Sequence, residues 1–337
     1  YTVLRCCNVS RLRIQKLIIL LTFACFTLVL YGRHFYLFKT SQFPTNFTSQ
    51  YPFFTREVIN PYTFEYVIQP RVNCSGQKVE LVICVINTGD NHSGRSVIRK
   101  TWGSYAKDPN NKAVLLFFIG WENGELDTAS RLVRQSKLQE EASTFGDIVQ
   151  ENYLDSYRNL TLKSVSILRW VNLFCPNTKY ILKVDDDVYM NIPFLMSSLE
   201  EFIVESSPPS AFIIGYKYTI SFPKRNPTSK WYTPFSVYRE LLFPSYVTGL
   251  AYVMTSEAGT LIYEASLRVT IFWLEDIYIT GMCAREAHVP VYHSKYFTLD
   301  TLVASGCSFR TMVCSHRYSE EEMVKIHREI NDKNLQC

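Results

Sequence analysis

Three adjacent carboxylates, Asp185, Asp186 and Asp187, have the residue type and spacing that most directly suggest chemistry. They follow an apolar run at 180–184 that predicts a buried strand, and an open α/β sheet places its ligands beyond the carboxyl ends of such strands. Adjacent carboxylates repel one another unless a hard divalent cation such as Mg²⁺ or Mn²⁺ lies against them, and such a cation usually also holds substrate phosphates. The cluster therefore predicts a cation and phosphate site. The alternative is an Asp-rich turn in solvent, or a helix N-cap with acidic neighbours.

A second acidic pair, Glu275 and Asp276, lies in an apolar context, with Phe272 and Trp273 before it and Gly281 after it. Apolar surroundings disfavour the charged form of a carboxyl group, which raises its pKa and makes it a better general base. The pair therefore predicts a group that accepts a proton. A helix N-terminus with acidic residues in its first turn is the competing interpretation.

Two arginines, Arg95 and Arg99, are four residues apart just after the first predicted strand. Residues at this spacing lie on one face of a helix. Guanidinium groups at the carboxyl edge of a strand suit the phosphates or the base of a nucleotide. A solvated helix face that binds nothing is the alternative.

The segment at 246–254 combines Gly249 with Tyr246 and Tyr252, a composition suited to a sugar ring that stacks against a loop. Core packing explains the same residues. Near the C-terminus, His316 follows Cys314 and is either a metal ligand or a structural histidine.

The elements that must position these residues alternate between strands and helices. The predicted order is strand 79–86, helix 95–102, strand 113–119, helix 125–143, a short strand or loop at 147–153, helix 160–174 and strand 180–185. This alternation predicts an α/β fold with a mostly parallel sheet and helices on both faces. The part beyond residue 192 is less regular, with proline-rich predicted loops.

The chain has 337 residues, 47% of them apolar, which is enough for one large or two modest domains with a packed core. Its formal net charge is +4. Four basic residues, Arg5, Arg11, Arg13 and Lys16, lie in the first 16 positions, which hold no acidic residue, and equal this whole excess. The rest of the chain is near neutrality, so the sequence lacks the clustered basic face that nucleic acid binding requires.

An apolar run at 17–32 continues through residue 38 and is flanked by Lys16 and Arg33. It is short for a spanning helix, which needs about 20 residues. No Ala-x-Ala-like cleavage site follows it, so an uncleaved signal anchor is favoured over a cleaved signal peptide. A core helix is a third interpretation, weakened because the run has no polar face. Positive charge before the run predicts a cytosolic N-terminus and a luminal remainder.

These observations divide the chain into four predicted regions. Residues 1–16 form a cytosolic tail, 17–38 a signal-anchor transmembrane segment, 39–77 a proline-containing stem, and 78–337 a luminal catalytic domain. Four sequons, at Asn46, Asn73, Asn91 and Asn159, fit the lumen of the secretory pathway. Seven of the ten cysteines follow the predicted anchor and no Cys-x-x-Cys pair occurs, which permits up to three disulfides and disfavours a zinc ribbon.

Together these residues resemble the β-1,3-glycosyltransferase family of the animal Golgi, which includes β-1,3-galactosyltransferases and β-1,3-N-acetylglucosaminyltransferases. The similarity runs from about residue 79 to the C-terminal region. It is carried by Arg-x-x-Ile-Arg-x-Thr-Trp at 95–102, Asp-Ser-Tyr-x-Asn-Leu-Thr-Leu-Lys at 155–163, Lys-Val-Asp-Asp-Asp-Val at 183–188, Lys-Trp-Tyr at 230–232, Tyr-Val-Thr-Gly at 246–249 and Glu-Asp-Ile-Tyr at 275–278. Several ordered motifs are more specific than any one of them.

The resemblance implies a GT-A fold, a single-pass type II protein of the Golgi membrane, and inverting transfer from a UDP-sugar donor. By position, it implies that Asp185 and Asp186 belong to the donor site. It implies further that Asp187 and His316 hold Mn²⁺ or Mg²⁺, and that Asp276 is the general base.

The same resemblance implies supporting roles for other residues. Three match positions near the nucleotide: Arg95, Arg99 and Lys163. Four are candidate contacts for the acceptor sugar: Trp231, Tyr246, Gly249 and Glu275.

Two features depart from the family pattern. One residue commonly separates the aromatic residue of the Glu-Asp-Val-Phe/Tyr segment from the next Gly, whereas here Ile279 and Thr280 precede Gly281. Cys84 and Cys314 also look additional. The disulfide pairs suggested by the resemblance are Cys74 with Cys175 and Cys283 with Cys307.

The predicted function is transfer of galactose from UDP-galactose to the 3-hydroxyl of an acceptor N-acetylhexosamine on a glycoprotein or glycolipid. The first alternative is a β-1,3-N-acetylglucosaminyltransferase that acts on galactose. A glycosidase with Asp187 and Asp276 as paired carboxylates is a second. A non-catalytic luminal module that binds glycans is a third, disfavoured because binding alone needs no base.

Overall fold

The computed structural model describes residues 56–72, 74, 78–122 and 128–337. The chain divides into two compact units, Tyr1–Gln50 and Tyr51–Cys337, and every described residue belongs to the second. Within these ranges no helix combines the length and the apolar character needed to cross a membrane. The predicted tail at 1–16, the predicted anchor at 17–38, and the sequons at Asn46 and Asn73 lie outside the described residues.

One large mixed sheet organises the described part of the chain. Its strands are β1 (Tyr66–Ile68), β2 (Leu81–Ile86), β3 (Ala113–Trp121), β4 (Ile148–Leu154), β5 (Tyr180–Asp185), β7 (Ile213–Tyr218), β8 (Tyr246–Thr255) and β9 (Val291–His293). Their spatial order is β1-β4-β3-β2-β5-β8-β7-β9. Two further strands, β6 (Val188–Met190) and β10 (Cys314–His316), form a separate antiparallel pair.

The centre of the sheet is parallel, with β2 between β3 and β5. Every residue of β2 is buried, because alternate side chains enter two different cores, as Cys84 does on one face and Ile83 on the other. Ile86 lies opposite Asp185 in the register of β2 and β5. The carboxyl ends of these two strands therefore meet at one edge of the sheet.

Helices cover both faces. One core includes side chains from α3 (Leu160–Phe174) and α5 (Ser256–Ser266). The other includes side chains from α1 (His92–Lys100), α2 (Thr128–Phe145), α4 (Ile192–Ser206) and α6 (Glu320–Ile330). The expected α/β fold with helices on both faces is confirmed, and the mixed, centrally parallel sheet fits a GT-A-like architecture.

The expected irregularity beyond residue 192 is only partly correct. Residues 219–245 are mostly irregular, but the flanking segments are β7 and β8, which pair antiparallel with each other. β8 also pairs antiparallel with β5. Because β8 lies between two strands, nine of its ten residues are buried, with Gly249 partly exposed. The segment interpreted as a possible sugar-stacking loop is thus a strand of the core.

The predicted boundary of the stem at residue 77 is wrong. Tyr66–Ile68 forms edge strand β1, which pairs with β4. The Asn60 side chain donates to the carbonyl of Ser266 at 2.9 Å, and Cys74 is bonded to Cys175. These contacts place residues that precede 78 within the folded domain.

The disulfides agree with one suggested pair and contradict the other. Cys74 pairs with Cys175, as suggested. Cys307 pairs instead with Cys337, at a Cα–Cα distance of 5.6 Å, because the chain end returns to the segment that carries Cys307. Cys283 stays a free, buried thiol, as do Cys84 and Cys314.

Candidate active site

The carboxylate cluster, defined as Asp185, Asp186 and Asp187, lies where β5 ends. Asp185 is the last residue of β5, and the other two form the turn into β6. Oδ1 of Asp185 accepts a hydrogen bond from Nζ of Lys183 at 2.5 Å. Burial raises the pKa of Asp185 to about 6, although Lys183 opposes the shift. The alternative of a fully solvated Asp turn therefore does not describe Asp185.

Two amide side chains hold Asp186. Nδ2 of Asn87 and Nδ2 of Asn91 each donate to Oδ2 of Asp186 at 2.7 Å. Asn87 follows β2 directly, and Asn91 caps α1 by accepting the N–H of Gly94 at 3.0 Å. Burial raises the pKa of Asp186, and the bond from Asn91 opposes this shift. The Asp186 carboxylate is therefore oriented before any ligand binds.

Asn87 is also the point on which two predicted donor-site residues converge. Nη1 of Arg95 donates to its side-chain Oδ1 at 2.5 Å. Nζ of Lys163 donates to its carbonyl oxygen at 2.6 Å, and Lys163 also pairs with Asp155 at 2.9 Å. Both cations thus reach Asp186 through Asn87 rather than directly.

Arg95 is fully buried, so a solvated helix face is the wrong description of it. Besides Asn87, it donates to the carbonyls of Thr88 and Gly89 and makes two bonds to the Glu141 carboxylate. These contacts use all five of its N–H donors. The prediction that Arg95 contacts the nucleotide is corrected accordingly, because no donor is left for a ligand.

Arg99 is buried against the same acid. Its Nη1 donates to Glu141 at 2.7 Å, and its Nε and Nη2 donate to the two oxygens of Asp147 at 2.7 and 2.8 Å. Its guanidinium also lies over the ring of Phe145, at 4.0 Å from the centroid. None of these bonds reaches the carboxylate cluster. Arg99 therefore supports Arg95 through Glu141, and its place near the nucleotide stays a prediction.

The β6–β10 pair brings the two predicted metal ligands into neighbouring positions. His316 lies opposite Val188, and the N–H of Tyr318 is 3.3 Å from the carbonyl oxygen of Asp187. Nε2 of His316 lies 3.0 Å from the carbonyl oxygen of Leu299. A carbonyl can only accept, so Nε2 carries the proton and Nδ1 is left to bind a cation, the usual arrangement of a metal-binding histidine.

The donor set fits a cation that also binds phosphate. The Asp187 side chain is exposed, and no described residue donates a hydrogen bond to it. The part of the chain that the structure describes has no group of three or more His, Cys, Asp or Glu side chains arranged around one point. One carboxylate and one imidazole are enough when diphosphate and water oxygens complete the coordination, as is common for Mg²⁺-type sites.

Asp276 lies at the start of a π-helical turn, Ile277–Cys283. Its Oδ1 accepts the N–H of Ile277 at 2.9 Å. Burial and the neighbouring Glu275 raise the pKa of Asp276 to about 7, while peptide N–H groups of Ile277 and Gly249 oppose the shift. A carboxylate that protonates near neutrality is well matched to a general base.

The π-helical turn accounts for the unusual spacing before Gly281. A π-helix places one more residue in each hydrogen-bonded turn than an α-helix does, which accommodates one extra residue. Within the turn, Oγ1 of Thr280 donates to the carbonyl of Asp276 at 2.6 Å and accepts the N–H of Val247 at 3.0 Å. The turn thereby fixes the backbone of Asp276 to β8.

Lys183 joins the carboxylate cluster to the acidic pair. Besides Asp185, its Nζ donates to the carbonyl of Gly249 and lies 3.7 Å from Oε2 of Glu275. Burial alone would lower the pKa of Lys183, but Asp185 and Glu275 outweigh it and raise the pKa, so the group stays protonated. Lys183 is therefore a buried cation between two groups of acids.

Of the predicted acceptor contacts, Glu275 is buried, and two side chains donate hydrogen bonds to one of its carboxylate oxygens, while its role toward the acceptor stays a prediction. Its Oε1 accepts from Ser164 at 2.7 Å and from Tyr252 at 2.8 Å. A Cβ on Gly249 would lie 2.9 Å from Oε2 of Glu275, so glycine permits this close approach. Tyr246 is 7% exposed and packs its ring beside Tyr218, which agrees with the core-packing alternative.

Trp231 is the predicted acceptor contact that stays open to solvent, at 49% exposure. Its Nε1 donates to Oη of Tyr157 at 3.3 Å, and the Tyr157 ring meets the Trp273 ring edge-on at 6.3 Å. Lys230 lies over Tyr157 at 4.1 Å and Arg158 over Trp273 at 4.7 Å. We call Tyr157, Trp231 and Trp273 the aromatic platform. It lies three residues from Asp276 along the chain, through Trp273.

The galactosyltransferase family model matches residues 93–295, more than half of the chain. The chain belongs to this family. Mouse beta-1,3-galactosyltransferase 1 is 31% identical over 280 residues, which cover 83% of this chain and 82% of the relative. Family membership confirms the resemblance inferred from the ordered motifs and makes this protein a glycosyltransferase.

The chain is similar both to galactosyltransferases and to an N-acetylglucosaminyltransferase. Mouse beta-1,3-galactosyltransferase 2 is 30% identical and the match covers 82% of this chain and 64% of the relative. Lactosylceramide 1,3-N-acetyl-beta-D-glucosaminyltransferase of Xenopus tropicalis is 30% identical, with 81% and 72% covered. Among solved structures, a glycosyltransferase involved in glycosylation of the major capsid of PBCV-1 has 13% identity and a TM-score of 0.37, with 72% of this chain and 96% of that one covered.

Two sequons of this family member lie within the described residues. Nδ2 of Asn91 donates to Asp186, so that side chain points into the candidate site. A glycan on Asn91 would break this bond and occupy the space beside the carboxylate cluster, and glycosylation of this sequon stays a prediction. Asn159 is half-buried and donates to the carbonyl of Leu154 at 2.8 Å, with Thr161 of its sequon buried.

Sequence reasoning did not single out two residues that contact the candidate site, Asn87 and Lys183. Asn87 is the first residue after a predicted strand, where ligands of α/β sheets gather. Lys183 is a lysine within an apolar strand run, and lysine is almost never fully buried unless it is paired. Both signals were present in the sequence.

Proposed function

We propose that this glycosyltransferase transfers galactose from UDP-galactose to the 3-hydroxyl of an acceptor sugar, an N-acetylhexosamine, and inverts the anomeric centre to give a β-1,3 linkage. The observation that carries this proposal is a carboxylate suited to proton transfer, Asp276, which Glu275 and Lys183 connect to a separate carboxylate cluster. Inverting displacement needs one base and a stabilised leaving group, and these two groups of residues supply one each.

In the proposed reaction, Asp276 accepts the proton of the acceptor 3-hydroxyl as that oxygen attacks the anomeric carbon of the donor. The new bond joins the acceptor oxygen to the anomeric carbon, and the bond that breaks joins this carbon to the diphosphate oxygen, with its electron pair leaving on UDP. Burial of Asp276 favours its return to the neutral form, which provides driving force for proton uptake. No second carboxylate needs to act as a nucleophile.

On the leaving-group side, Asp187 and His316 would hold Mn²⁺ or Mg²⁺. Such a cation supplies positive charge that stabilises the diphosphate as it departs. Asp186, which is adjacent to Asp187 in the chain and oriented by Asn87 and Asn91, would contribute to donor binding together with Asp185. Arg95, Arg99 and Lys163 act as supports that hold the loop after β2, and with it Asn87.

A β-1,3-N-acetylglucosaminyltransferase that uses UDP-N-acetylglucosamine on galactose is the second candidate. The observation that favours it is the similarity to the Xenopus lactosylceramide enzyme. That relative is 30% identical to this chain, and mouse beta-1,3-galactosyltransferase 1 is 31% identical. A non-catalytic glycan-binding module is a remote third possibility. It would not require Asp276 in a site with a near-neutral pKa.

We further propose that the protein is anchored in the Golgi membrane as a single-pass type II protein with its catalytic domain in the lumen. The apolar run at 17–38 behind four basic residues supports this topology, as does the disulfide between Cys74 and Cys175, which needs an oxidising compartment. The partners are then a UDP-sugar and a glycan acceptor on protein or lipid. Nucleic acid is not among them.

The test is a donor and acceptor screen with the full chain. UDP-galactose and UDP-N-acetylglucosamine are offered with Mn²⁺ to β-linked N-acetylglucosamine, N-acetylgalactosamine and galactose, and the product linkage is determined by NMR. A β-1,3-galactosyl product on an N-acetylhexosamine is expected. A β-1,3-N-acetylglucosaminyl product on galactose would support the second candidate, and glycan binding without transfer from either donor would reject both.

A further inference from the structure

Lys183 contacts both the carboxylate cluster and the acidic pair Glu275 and Asp276, through Asp185 and Glu275 respectively. Its Nζ lies 2.5 Å from Oδ1 of Asp185, which belongs to the carboxylate cluster, and 3.7 Å from Oε2 of Glu275, which precedes the proposed base. It also donates to the carbonyl of Gly249, whose own N–H group faces Asp276. One side chain therefore spans the donor side and the base side of the site.

The surroundings of Lys183 make these contacts strong. The side chain is 4% exposed and that of Glu275 is 6% exposed, so water and salt screen the pair little. Glu275 is fixed in turn by Ser164 and Tyr252. Lys183 and Tyr252 are also opposite each other on β5 and β8. The lysine is thus held by two strands and by rigid acidic partners.

The groups that face Asp276 come from several elements. They are Glu275 beside it, Lys183 on β5, Tyr218 on β7, Tyr246 at the start of β8, and the peptide N–H groups of Ile277 and Gly249. Among these described groups, Lys183 supplies the positive charge. Its loss would leave Asp276 beside Glu275 with no cation to offset that carboxylate.

We propose that Lys183 is a positioning residue of the transfer reaction, which fixes Asp185 for the donor and, through Glu275 and Gly249, keeps Asp276 placed and ionised for the acceptor. This inference rests on the proposed function, since it assigns Lys183 a role in the same reaction. It differs from a purely structural ion pair because it predicts that a change at Lys183 alters both donor affinity and the pH dependence of turnover.

The experiment measures kcat and the KM for the donor against pH for wild type and Lys183→Met. Removing a nearby cation raises the pKa of a carboxylate, by about one unit. The acid limb of kcat is therefore expected to move up by about one pH unit. The KM for the UDP-sugar is expected to rise about tenfold, because Asp185 loses its partner.

Lys163→Met is the matched control. Lys163 is also a buried lysine paired with an aspartate, Asp155, and it supports the donor loop through Asn87. It is not among the main causes of the pKa shift of Asp276, whereas Lys183 is. The control should raise the KM for the donor yet leave the acid limb of kcat where it is in wild type.

A second variant covers the case in which Lys183→Met does not fold. The double variant Lys183→Met with Glu275→Gln removes both charges of the buried pair, which proteins tolerate better than removal of one. Its acid limb should return towards the wild-type position while the KM for the donor stays raised. Equal acid limbs in wild type, Lys183→Met and the double variant, with an unchanged donor KM, would overturn the proposal for Lys183 alone. Absence of sugar transfer by wild type would instead remove the proposed function, and this inference with it.

Discussion

Around Asp186, at the carboxyl ends of β2 and β5, side chains are buried and hydrogen-bonded to one another. Around Trp231, aromatic rings and two cations are exposed on irregular segments. The first region is fixed by strand register and by Asn87, and the second by contacts between loops. The leaving group has the same chemistry in every turnover, which suits a preorganised site, whereas acceptor recognition is carried by loops on a rigid scaffold.

The largest expected effect concerns the proposed base, which follows Trp273 by three residues and is connected to the carboxylate cluster through Glu275 and Lys183. Asp276→Asn removes the proton acceptor but keeps the size of the side chain, so kcat should fall by about 10³-fold. The KM values for donor and acceptor should change little, because both regions stay intact. Rates of product formation at saturating substrates measure the change.

Asp332→Asn, at an exposed position near the C-terminus, is the control for this substitution and should behave as wild type. A kcat within a few-fold of wild type for Asp276→Asn would remove the assignment of the base and, with it, the proposed single displacement.

Removal of the proposed cation tests the donor region by itself. EDTA should abolish transfer and Mn²⁺ should restore it. In Asp187→Ala, kcat should fall about 100-fold, since a cation at a departing phosphate is worth several kcal/mol. His316→Ala should raise the Mn²⁺ concentration needed for half-maximal rate, because Nδ1 of His316 is the proposed ligand. Transfer that EDTA leaves intact would refute this site.

The pH dependence of turnover tests the environment of the base. The base must be ionised to accept a proton, and burial raises the pKa of Asp276 to about 7. As the pH falls through 7, Asp276 becomes protonated and kcat should drop about tenfold for each further pH unit. Above pH 7 the rate should level off. A rate that stays constant between pH 5 and 7 would mean that the base is an ordinary exposed carboxylate or another residue.

These two regions also differ in how far the sequence predicts them. The strand that ends at Asp185 and the helix Leu160–Phe174 have the predicted bounds, because apolar runs and helical periodicity are local signals. The cluster's position at a strand end follows from the same signals. The burial of Arg95 and Arg99 could not be predicted from these local signals, because their partner Glu141 lies on a different helix more than 40 residues away.

The contacts within the site that the sequence does not predict depend on which strands pair and in which register. Asn87 reaches Asp186 because β2 and β5 are parallel neighbours with Ile86 opposite Asp185, and no local pattern specifies that pairing. Likewise, Gly249 and the aromatic residues of β8 are compatible with either a sugar-stacking loop or core packing, and the pairing of β8 with β5 and β7 decides for the core. The aromatic platform joins three separate segments of the chain. Of its three rings, the sequence motifs identified only Trp231 as a candidate contact for the acceptor sugar.

The smallest expected effect concerns the platform. Trp231→Ala removes an exposed ring that is available to stack on an acceptor sugar, and an aromatic contact of this kind is worth about 1 kcal/mol. The KM for the acceptor should rise about fivefold, while the KM for the donor and its dependence on Mn²⁺ stay as in wild type. Lys230→Gln, on the same loop, is the matched control, and it should leave the KM for a neutral acceptor within about twofold because its ammonium group rests on Tyr157 at the surface. A rise in the donor KM for Trp231→Ala would mean that the two regions are not separate, and that the exposed loop also shapes the donor site.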